Sequence, residues 1–416
     1  MITPGAFQTL KSRGFLSQCS DEAGLSRLLD SEPVTFYIGF DPTASSLHVG
    51  NLLQLFSMSH LQRAGHRAIA LIGAGTCRIG DPSGKSEARP ILPVETINAN
   101  GERFRAQIGR FLDFSEDMGL MLNNADWLAG LNYIDFLREI GRHFSVNRML
   151  SFETYKMRLE TGLSFIEFNY QVLQAYDYLV LFQRHGCRLQ MGGDDQWGNI
   201  VAGMDLIRRV EGGEAFALTT PLVTRSDGQK MGKSEKGALY LDPGLVSPYE
   251  FYQYWINVPD ADVGKFLRLF TYLDLKEIAE LERLKDREIN KAKERLAYEL
   301  TAIVHGAGEA GKARDASQAV FRGEGAAMEA VPSAVLAAED LARGIPSATL
   351  WLRAGLVTST SEARRLIGQG GAMVNGRKIE SVDYLVTGKD ARLGADGKRE
   401  LMLQAGKKRF FRFLVE

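Results

Sequence analysis

The stretch VTFYIGFDPTASSLHVGN, residues 34–51, decides the fold because it holds a strand and the turn that leads into the next helix. Val34 to Gly39 is a short apolar run rich in β-branched and aromatic residues, which predicts a strand. A helical pattern follows from Asn51 to Ala64, and Arg67 to Gly73 predicts the next strand. Strands that alternate with helices are typical of a parallel sheet covered by helices, so the predicted fold class is α/β.

Gly-rich turns after these strands are candidate ligand loops. In open parallel sheets, ligands lie at the carboxyl ends of the strands, where residues 39–50 and 73–84 fall. Arg188 to Met191 predicts a further short strand, which is followed by Gly192-Gly-Asp-Asp-Gln-Trp-Gly198.

Two distant loops suit phosphate groups, and neither is a P-loop. A Walker sequence places four residues between its first Gly and the Gly-Lys-Ser. In Asp227-Gly-Gln-Lys-Met-Gly-Lys-Ser234 only three residues separate Gly228 from Gly232, and Gly80-Asp-Pro-Ser-Gly-Lys-Ser86 also has three. This spacing argues against a P-loop ATPase or GTPase. Together with the hydroxyl-rich segment 41–51, the cationic 227–234 loop indicates a site that closes around a polyphosphate.

Composition and length bound the class of protein. With 416 residues, 45% of them hydrophobic, the chain can form two or three domains with cores of their own. The sequence shows no run of about 18 apolar residues and no secretory signal, which predicts a cytoplasmic protein without a membrane span. Cys19, Cys77 and Cys187 lie far apart, so neither a disulfide framework nor a zinc site is predicted.

The character of the chain changes after the cationic loop. Residues 248–325 are charged and helical in periodicity, which predicts a helical domain. The following segment is rich in Ala, Gly and Pro, with a short helical pattern over 334–342, and is predicted to be a linker. The predicted division is an α/β domain over 1–225, a mobile loop and linker over 226–247, the helical domain over 248–325, the linker over 326–347 and a tail domain over 348–416.

The tail carries an excess of positive charge. Residues 341–416 contain 14 Lys and Arg against 7 Asp and Glu, whereas the net charge of the whole chain is -1. Thr360 to Gly368 predicts a helix, Ala372 to Ile379 a hairpin with an Asn-Gly turn, and Lys407 to Phe413 a basic and aromatic strand. A basic module on a mildly acidic body favours a polyanion partner, most simply nucleic acid, although a solvated basic surface is the alternative.

Six short motifs occur in order along the chain: Tyr37-x-Gly-Phe-Asp-Pro-Thr43, His48-Val-Gly-Asn51, Gly80-Asp-Pro-Ser-Gly-Lys85, Tyr170-x-x-x-Gln-x-x-Asp177, Gly192-x-Asp-x-Gln-Trp197 and Lys230-Met-Gly-Lys-Ser234. Their order and spacing resemble the bacterial-type tyrosyl-tRNA synthetases of class I over almost the whole chain. The resemblance implies a Rossmann-like catalytic domain and an α-helical domain on the anticodon side. The tail resembles a small α+β RNA-binding module, called S-four-like after a ribosomal small-subunit protein.

Tyr170, Gln174 and Asp177 are spaced i, i+4 and i+7, which places them on one face of a helix. Their apolar neighbours predict a polar patch on a partly buried helix. The resemblance implies that Tyr37 and Asp177 receive the phenolic hydroxyl of tyrosine. The whole tyrosine-binding set that it implies is Tyr37, Asp81, Tyr170, Gln174, Asp177 and Gln196.

His48 precedes a predicted helix, where backbone amides and the helix dipole favour an anion. By the resemblance, the ATP-binding residues are Asp41, His48, Gly50, Asn51, Gly193, Asp195, Lys230, Lys233 and Ser234. The catalytic residues are Thr43, His48, Lys85, Arg89, Lys230 and Lys233. Amino-acid activation requires positioned positive charge rather than a nucleophile or a general base, because a substrate carboxylate attacks the α-phosphorus and pyrophosphate leaves.

The resemblance implies the substrates L-tyrosine, ATP and tRNA(Tyr), with Mg²⁺ arriving on ATP, no tightly bound cofactor and no protein-held metal. It also implies a homodimer. The residues expected to meet tRNA phosphates are Arg364, Arg365, Arg377, Lys378, Lys407, Lys408 and Arg409.

Some positions depart from the pattern of the family. Asn51 stands where many relatives have His, Ile38 where some have Cys, and Gln54 where some have a smaller residue. Cys77 and Arg78 alter the Gly-rich turn before residue 79.

Two alternatives remain open at this point. One is a tryptophanyl-type relative with the same fold and phosphate loops, against which Tyr37, Asp177 and the tail favour tyrosine. The other is a catalytically silent RNA-binding protein on the same scaffold, against which the intact phosphate loops speak.

Overall fold

The computed structural model describes residues 2–3, 5–83, 91–115, 117–224, 226, 231–234, 237–322, 331–394, 397–406 and 409–416, with the backbone alone for 233, 234, 237 and 320–322. The described chain forms two compact units. The first comprises Met1–Asp242 with Pro259–Arg283, and the second comprises Pro243–Val258 with Leu284–Glu416.

The strands are β1 Gln18–Cys19, β2 Thr35–Phe40, β3 Arg67–Ile72, β4 Gly119–Asn123, β5 Cys187–Gly193, β6 Phe216–Thr220, β7 Lys233–Ser234, β8 Gly237–Ala238, β9 Ser333–Leu336, β10 Ile345–Pro346, β11 Ala372–Val374, β12 Arg377–Lys378, β13 Leu385–Val386, β14 Arg392–Leu393, β15 Arg399–Ala405 and β16 Arg409–Val415. The helices are α1 Ala6–Arg13, α2 Glu22–Ser31, α3 Leu52–Arg63, α4 Val94–Ile108, α5 Ala125–Leu128, α6 Tyr133–Glu139, α7 Val146–Leu150, α8 Glu153–Thr161, α9 Phe165–His185, α10 Trp197–Glu211, α11 Pro248–Ile256, α12 Val263–Phe270, α13 Leu275–Leu281, α14 Ile289–His305, α15 Ala307–Arg322, α16 Ala338–Arg343, α17 Ser347–Arg353 and α18 Thr360–Gly368.

The first unit is built on a Rossmann-like sheet. Among the described residues, six strands pair in the order β1-β6-β5-β2-β3-β4. All neighbouring strands are parallel except β1, which is antiparallel to β6. The chain moves outward from β2 through β3 and β4, and returns to the other side of β2 with β5. The carboxyl ends of β2 and β5 therefore flank the topological switch point, where such sheets bind ligands.

The predicted strand–helix–strand unit is confirmed with small shifts. The strand predicted over 34–39 is β2, the helix predicted over 51–64 is α3, and the strand predicted over 67–73 is β3. The β3 strand is buried along nearly its whole length, because helices cover both faces of a parallel sheet.

Residues 259–283 pack with the first unit, whereas the sequence predicted one helical domain over 248–325. The buried guanidinium of Arg13 donates hydrogen bonds to the backbone oxygens of Arg268, Thr271 and Leu273. The Tyr272 hydroxyl donates to Ser59 Oγ at 2.7 Å. These contacts join residues more than two hundred positions apart, which helical periodicity cannot reveal.

In the second unit, helices α11, α14 and α15 pack together, and the tail forms an α+β domain. The described tail strands pair in the order β12-β11-β15-β16-β9, with β14 on β15. The predicted hairpin is confirmed: Asn375 and Gly376 both have positive φ, 47° and 79°, as a tight hairpin turn requires. The predicted helix over 360–368 is α18.

The linker predicted over 326–347 is wrong for its described part. β9 pairs in parallel with β16, and β10 pairs with β13. Leu336 and Leu341 are buried in the tail core, so this segment belongs to the tail domain. Residues 334–336 of the predicted helical stretch lie instead in strand β9, because β9 adds an edge to a sheet whose other strands lie far along the chain. In the described residues, no helix combines the length and the apolar character needed to cross a membrane.

Candidate functional site

A cavity of about 300 Å³ opens at the carboxyl ends of β2 and β5 in the first unit. Strand β2, the turn after it, helix α9 and the turn after β5 supply most of its lining. The predicted site residues in the lining are Tyr37, Asp41, Thr43, His48, Asn51, Asp81, Tyr170, Gln174, Asp177, Gly193, Asp195 and Gln196. Residues that are distant in sequence are thus brought together as predicted.

One end of the cavity combines a buried carboxylate with a buried phenol. Asp177 accepts a hydrogen bond from Asn124 Nδ2 at 2.9 Å and another from Trp127 Nε1 at 2.7 Å. Burial raises the pKa of Asp177 to about 7, although both donors act in the opposite direction. The hydroxyl of Tyr37 is buried and has no hydrogen-bond partner among the described residues. Burial and the nearby Asp177 raise the pKa of Tyr37 well above its usual range. This end can therefore receive a hydroxyl group that both donates and accepts.

A second polar cluster surrounds Asp81, which is buried. Its carboxylate accepts hydrogen bonds from Gln196 Nε2 and from the backbone N–H of Ser83, both at 2.9 Å. Asn199 Nδ2 donates to the side-chain oxygens of Gln174 at 3.1 Å and Gln196 at 3.2 Å. Asn199 therefore orients both amides, so that Gln196 turns its Nε2 toward Asp81.

Asp41 links Tyr170 on helix α9 to the buried Asp177. It accepts from the Tyr170 hydroxyl at 2.9 Å and from Thr76 Oγ1 at 2.8 Å. Thr76 Oγ1 in turn accepts from Asn124 Nδ2, the same amide that donates to Asp177. One chain of hydrogen bonds thus runs from Tyr170 to Trp127 and holds the site residues in fixed orientations.

His48 caps a short 3-10 turn over Val49–Asn51. Its Nδ1 accepts from the Gly50 N–H at 2.9 Å, and Asn51 Oδ1 accepts from the His48 N–H at 3.1 Å. An imidazole whose Nδ1 accepts a hydrogen bond carries its proton on Nε2. Gly50 must be glycine here, since a Cβ would lie 2.6 Å from the His48 ring.

The described part of the cationic loop lies beside the His48 turn. A Cβ on Gly232 would be 3.3 Å from Val49 Cβ. The Leu239 N–H donates to Gly232 O, and the Val49 N–H donates to Leu239 O. The two loops singled out in the sequence are therefore neighbours in the fold.

Several predicted residues fall outside this description. Lys85, Arg89 and Lys230 lie outside the described residues, as do Lys407 and Lys408 of the tail. Lys233 and Ser234 are described by backbone only. In the tail, Arg364, Arg365, Arg377 and Lys378 are exposed and Arg409 is partly exposed.

Sequence reasoning missed Thr76, Asn124, Trp127 and Asn199. Asn124 directly follows β4, and polar residues at strand ends of a parallel sheet are the signal that could have found it. Of the departures from the family pattern, Ile38 and Gln54 line the cavity and Cys77 is buried in the Thr76–Arg78 turn. No cluster of three or more His, Cys, Asp or Glu side chains that could hold a metal ion occurs within the described ranges.

Family models match most of the chain. Residues 29–322 match the model described as tRNA synthetases class I (W and Y), and residues 349–391 match the S4 domain.

Individual relatives are similar over nearly their whole length. A tyrosine–tRNA ligase of Treponema denticola is 53% identical, over 98% of this chain and 99% of the relative. One from Caldanaerobacter subterraneus subsp. tengcongensis is 51% identical, over the same shares. Among solved structures, a C-terminally truncated mitochondrial tyrosyl-tRNA synthetase of Aspergillus nidulans is 28% identical, with a TM-score of 0.69, over 76% of this chain and 94% of that one.

Proposed function

The chain belongs to the tyrosine–tRNA ligases of the class I synthetases, and we propose that the described cavity is where it activates L-tyrosine with ATP. The products are tyrosyl-adenylate and pyrophosphate. Tyrosine is then transferred to the 3′-terminal adenosine of tRNA(Tyr). The observation that carries this assignment is that one end of the cavity holds two buried polar groups, the carboxylate of Asp177 and the hydroxyl of Tyr37, which has no partner among the described residues.

The phenol of tyrosine binds at that end. Its hydroxyl donates to the Asp177 carboxylate and accepts from Tyr37, so that both buried groups gain a partner. An analogue without the hydroxyl leaves the buried Tyr37 hydroxyl without a partner, which costs about 1–3 kcal/mol, and deprives Asp177 of a third donor. Tryptophan offers no hydroxyl in its place, and the tryptophanyl alternative is not favoured because the relatives are tyrosine–tRNA ligases.

The α-ammonium group binds near Asp81, Tyr170 and Gln174. The Asp81 carboxylate supplies the charge, and Asn199 holds the Gln174 amide in place. This arrangement leaves the substrate carboxylate toward the His48 side of the cavity.

Activation is an in-line displacement. An oxygen of the tyrosine carboxylate forms a bond to the α-phosphorus of ATP, and the bond from that phosphorus to the pyrophosphate oxygen breaks. No proton needs to move, so the chain contributes position and charge. We assign Thr43, the Nε2–H of His48 and the lysines of the 227–234 loop to the phosphates, with Lys85 and Arg89. The side chain of Asn51 accepts a hydrogen bond from the His48 backbone N–H and so holds His48 in place. Mg²⁺ enters as part of the ATP substrate.

The enzyme is proposed to act as a cytoplasmic homodimer. Helix α6 has no buried residue although it contains Tyr133 and Ile134, which are 56% and 68% exposed. Phe165, at the start of α9, is 72% exposed. A second copy would remove these apolar side chains from water. In sedimentation equilibrium we expect Ile134→Glu to shift the protein toward monomer. Leu222→Glu, which changes an exposed leucine outside these helices, should leave the assembly unchanged. Identical behaviour of both variants would contradict this surface.

The main test is amino-acid-dependent exchange of labelled pyrophosphate into ATP, run with tyrosine, tryptophan and phenylalanine. We expect exchange with tyrosine and almost none with the other two. Exchange with none of the three would support the alternative of a silent RNA-binding protein. Preference for tryptophan would support the tryptophanyl-type alternative.

A further inference from the structure

The carboxylate of Asp194 gathers donors from elements far away in the sequence. Asp194 begins the 3-10 turn Asp194–Gln196 and is not among the residues that line the cavity. Ser17 Oγ donates to its Oδ2 at 2.5 Å. Thr219 Oγ1 and Gln18 Nε2 donate to its Oδ1 at 2.6 and 3.2 Å. Short hydrogen bonds to an ionised carboxylate are stronger than neutral ones, so this cluster is a firm attachment.

The donors come from the edge of the sheet. The Ser17 N–H donates to Thr219 O at 2.9 Å, and the Gln18 N–H donates to Thr219 Oγ1 at 3.2 Å. Thr219 is fully buried in β6. We call Ser17, Gln18, Asp194 and Thr219 the Asp194 clasp. It ties the turn after β5 to both β6 and β1.

The turn that the clasp holds carries two residues of the site. A Cβ on Gly193 would lie 2.6 Å from Asp195 Oδ1, so the carboxylate sits directly against the bare backbone of Gly193. Gln196 donates to Asp81. A small movement of the turn would therefore displace both Asp195 and Gln196 within the cavity.

We propose that Asp194 is a positioning residue for ATP: the clasp holds the turn so that Asp195 meets the ribose hydroxyls of the nucleotide. The inference rests on the proposed function together with the ATP-binding role that the family resemblance implies for Asp195. The three donors fix the Asp194 carboxylate on the sheet edge and so fix the backbone of the turn that carries Asp195. Asp194 acts through its neighbour and does not touch the nucleotide.

The test compares ATP with 2′-deoxy-ATP and 3′-deoxy-ATP in tyrosine-dependent pyrophosphate exchange. The variants are Asp194→Ala, which removes the acceptor, and Thr219→Val, which removes one donor without changing charge. Ser20→Ala is the matched control. It deletes the hydrogen bond from the Ala217 N–H at the same sheet edge and leaves the clasp intact.

We expect Asp194→Ala to lower kcat/KM for ATP on the order of tenfold, mainly through KM, and Thr219→Val to lower it by less. For the analogue that lacks the contacted hydroxyl, kcat/KM should be nearly the same in Asp194→Ala as in wild type. The ratio of kcat/KM for ATP to that for this analogue should therefore fall. Asp194→Asn keeps one oxygen acceptor and should restore part of the discrimination. Equal losses for ATP and both analogues in Asp194→Ala would overturn the positioning role.

The variant Asp195→Ala separates this inference from the assignment on which it depends, namely that Asp195 contacts the ribose of ATP. If Asp195→Ala leaves discrimination unchanged, the proposed ribose contact of Asp195 is wrong, and hydrogen exchange decides the clasp. Amides of 193–196 should then exchange faster in Asp194→Ala than in wild type or Ser20→Ala. If these amides exchange their hydrogens in Asp194→Ala at the wild-type rate, the clasp itself is overturned.

Discussion

At the scale of single residues, the proposed role of Asp177 makes tyrosine binding depend on the ionisation of its carboxyl group. Burial raises the pKa of Asp177 to about 7, and in the proposed binding mode the ionised carboxylate accepts the phenolic hydroxyl more strongly than the neutral acid does. Protons therefore compete with tyrosine below pH 7. We expect the KM for tyrosine to be about tenfold higher at pH 6 than at pH 8, with the KM for ATP nearly constant.

The measurement is tyrosine KM against pH in pyrophosphate exchange. Asp177→Asn is the control, because an amide cannot titrate in this range and its weaker binding should vary little with pH. A wild-type KM that is flat between pH 6 and 8 would contradict the ionised acceptor.

The cavity contains residues that sequence patterns predict and residues that such patterns cannot predict. Tyr170, Gln174 and Asp177 were predicted together because helix periodicity places them on one face. Asn124 and Trp127 complete the Asp177 site from beyond another strand, about fifty positions away. Their role arises from the sheet order, which brings β4 and α9 to the same cavity, and local patterns contain no such information.

At the scale of elements, long-range pairing separates the correct predictions from the wrong ones. Helix α18 and the Asn-Gly hairpin are specified by neighbouring residues, and both were predicted. Strand β9 was missed because its partner is β16, almost eighty positions later. A four-residue, mostly exposed edge segment has little strand signal before that partner is known.

Helix α9 depends on a buried ion pair at its start. Glu167 accepts from Arg158 at 2.9 Å and caps the helix with Ser164, and both charged side chains are almost fully buried. Glu167→Ala removes the carboxylate that neutralises the buried Arg158 guanidinium, so we expect a loss of about 3–5 kcal/mol in the free energy of unfolding. Glu153→Ala is the control, since that side chain is exposed and its ion pair with Lys156 is long. Equal shifts of the unfolding midpoint in both variants would contradict the buried pair.

At the scale of the whole molecule, buried histidines set a limit on acid stability. Burial, with Arg13 and Arg63 nearby, lowers the pKa of His60 to about 3, and burial lowers the pKa of His66 to about 4. Both are neutral in the folded chain. Below pH 6.5 the unfolded chain binds protons that the folded chain does not, so stability is present above that pH and falls as the pH drops.

From pH 6 to pH 5 the two groups should remove about 2 kcal/mol of the free energy of unfolding. Urea unfolding of wild type and His60→Gln at both values checks this. The variant should lose about half of that dependence. An unaltered pH dependence in His60→Gln would show that His60 is protonated in the folded chain.

Activation and RNA recognition should be separable, because the basic side chains of the tail lie in the second unit and the cavity lies in the first. Replacing both exposed residues Arg364 and Arg365 by Ala removes two of the side chains that we propose to contact RNA phosphates. We expect kcat/KM for tRNA charging to fall about tenfold and its salt dependence to weaken by about one to two units of slope. Pyrophosphate exchange should stay at the wild-type rate.

The matched control replaces Arg343 and Arg353, which are exposed on α16 and α17, and removes the same charge. Equal loss of charging in both pairs would assign the effect to net charge, and a parallel loss of exchange would show that α18 supports the catalytic unit.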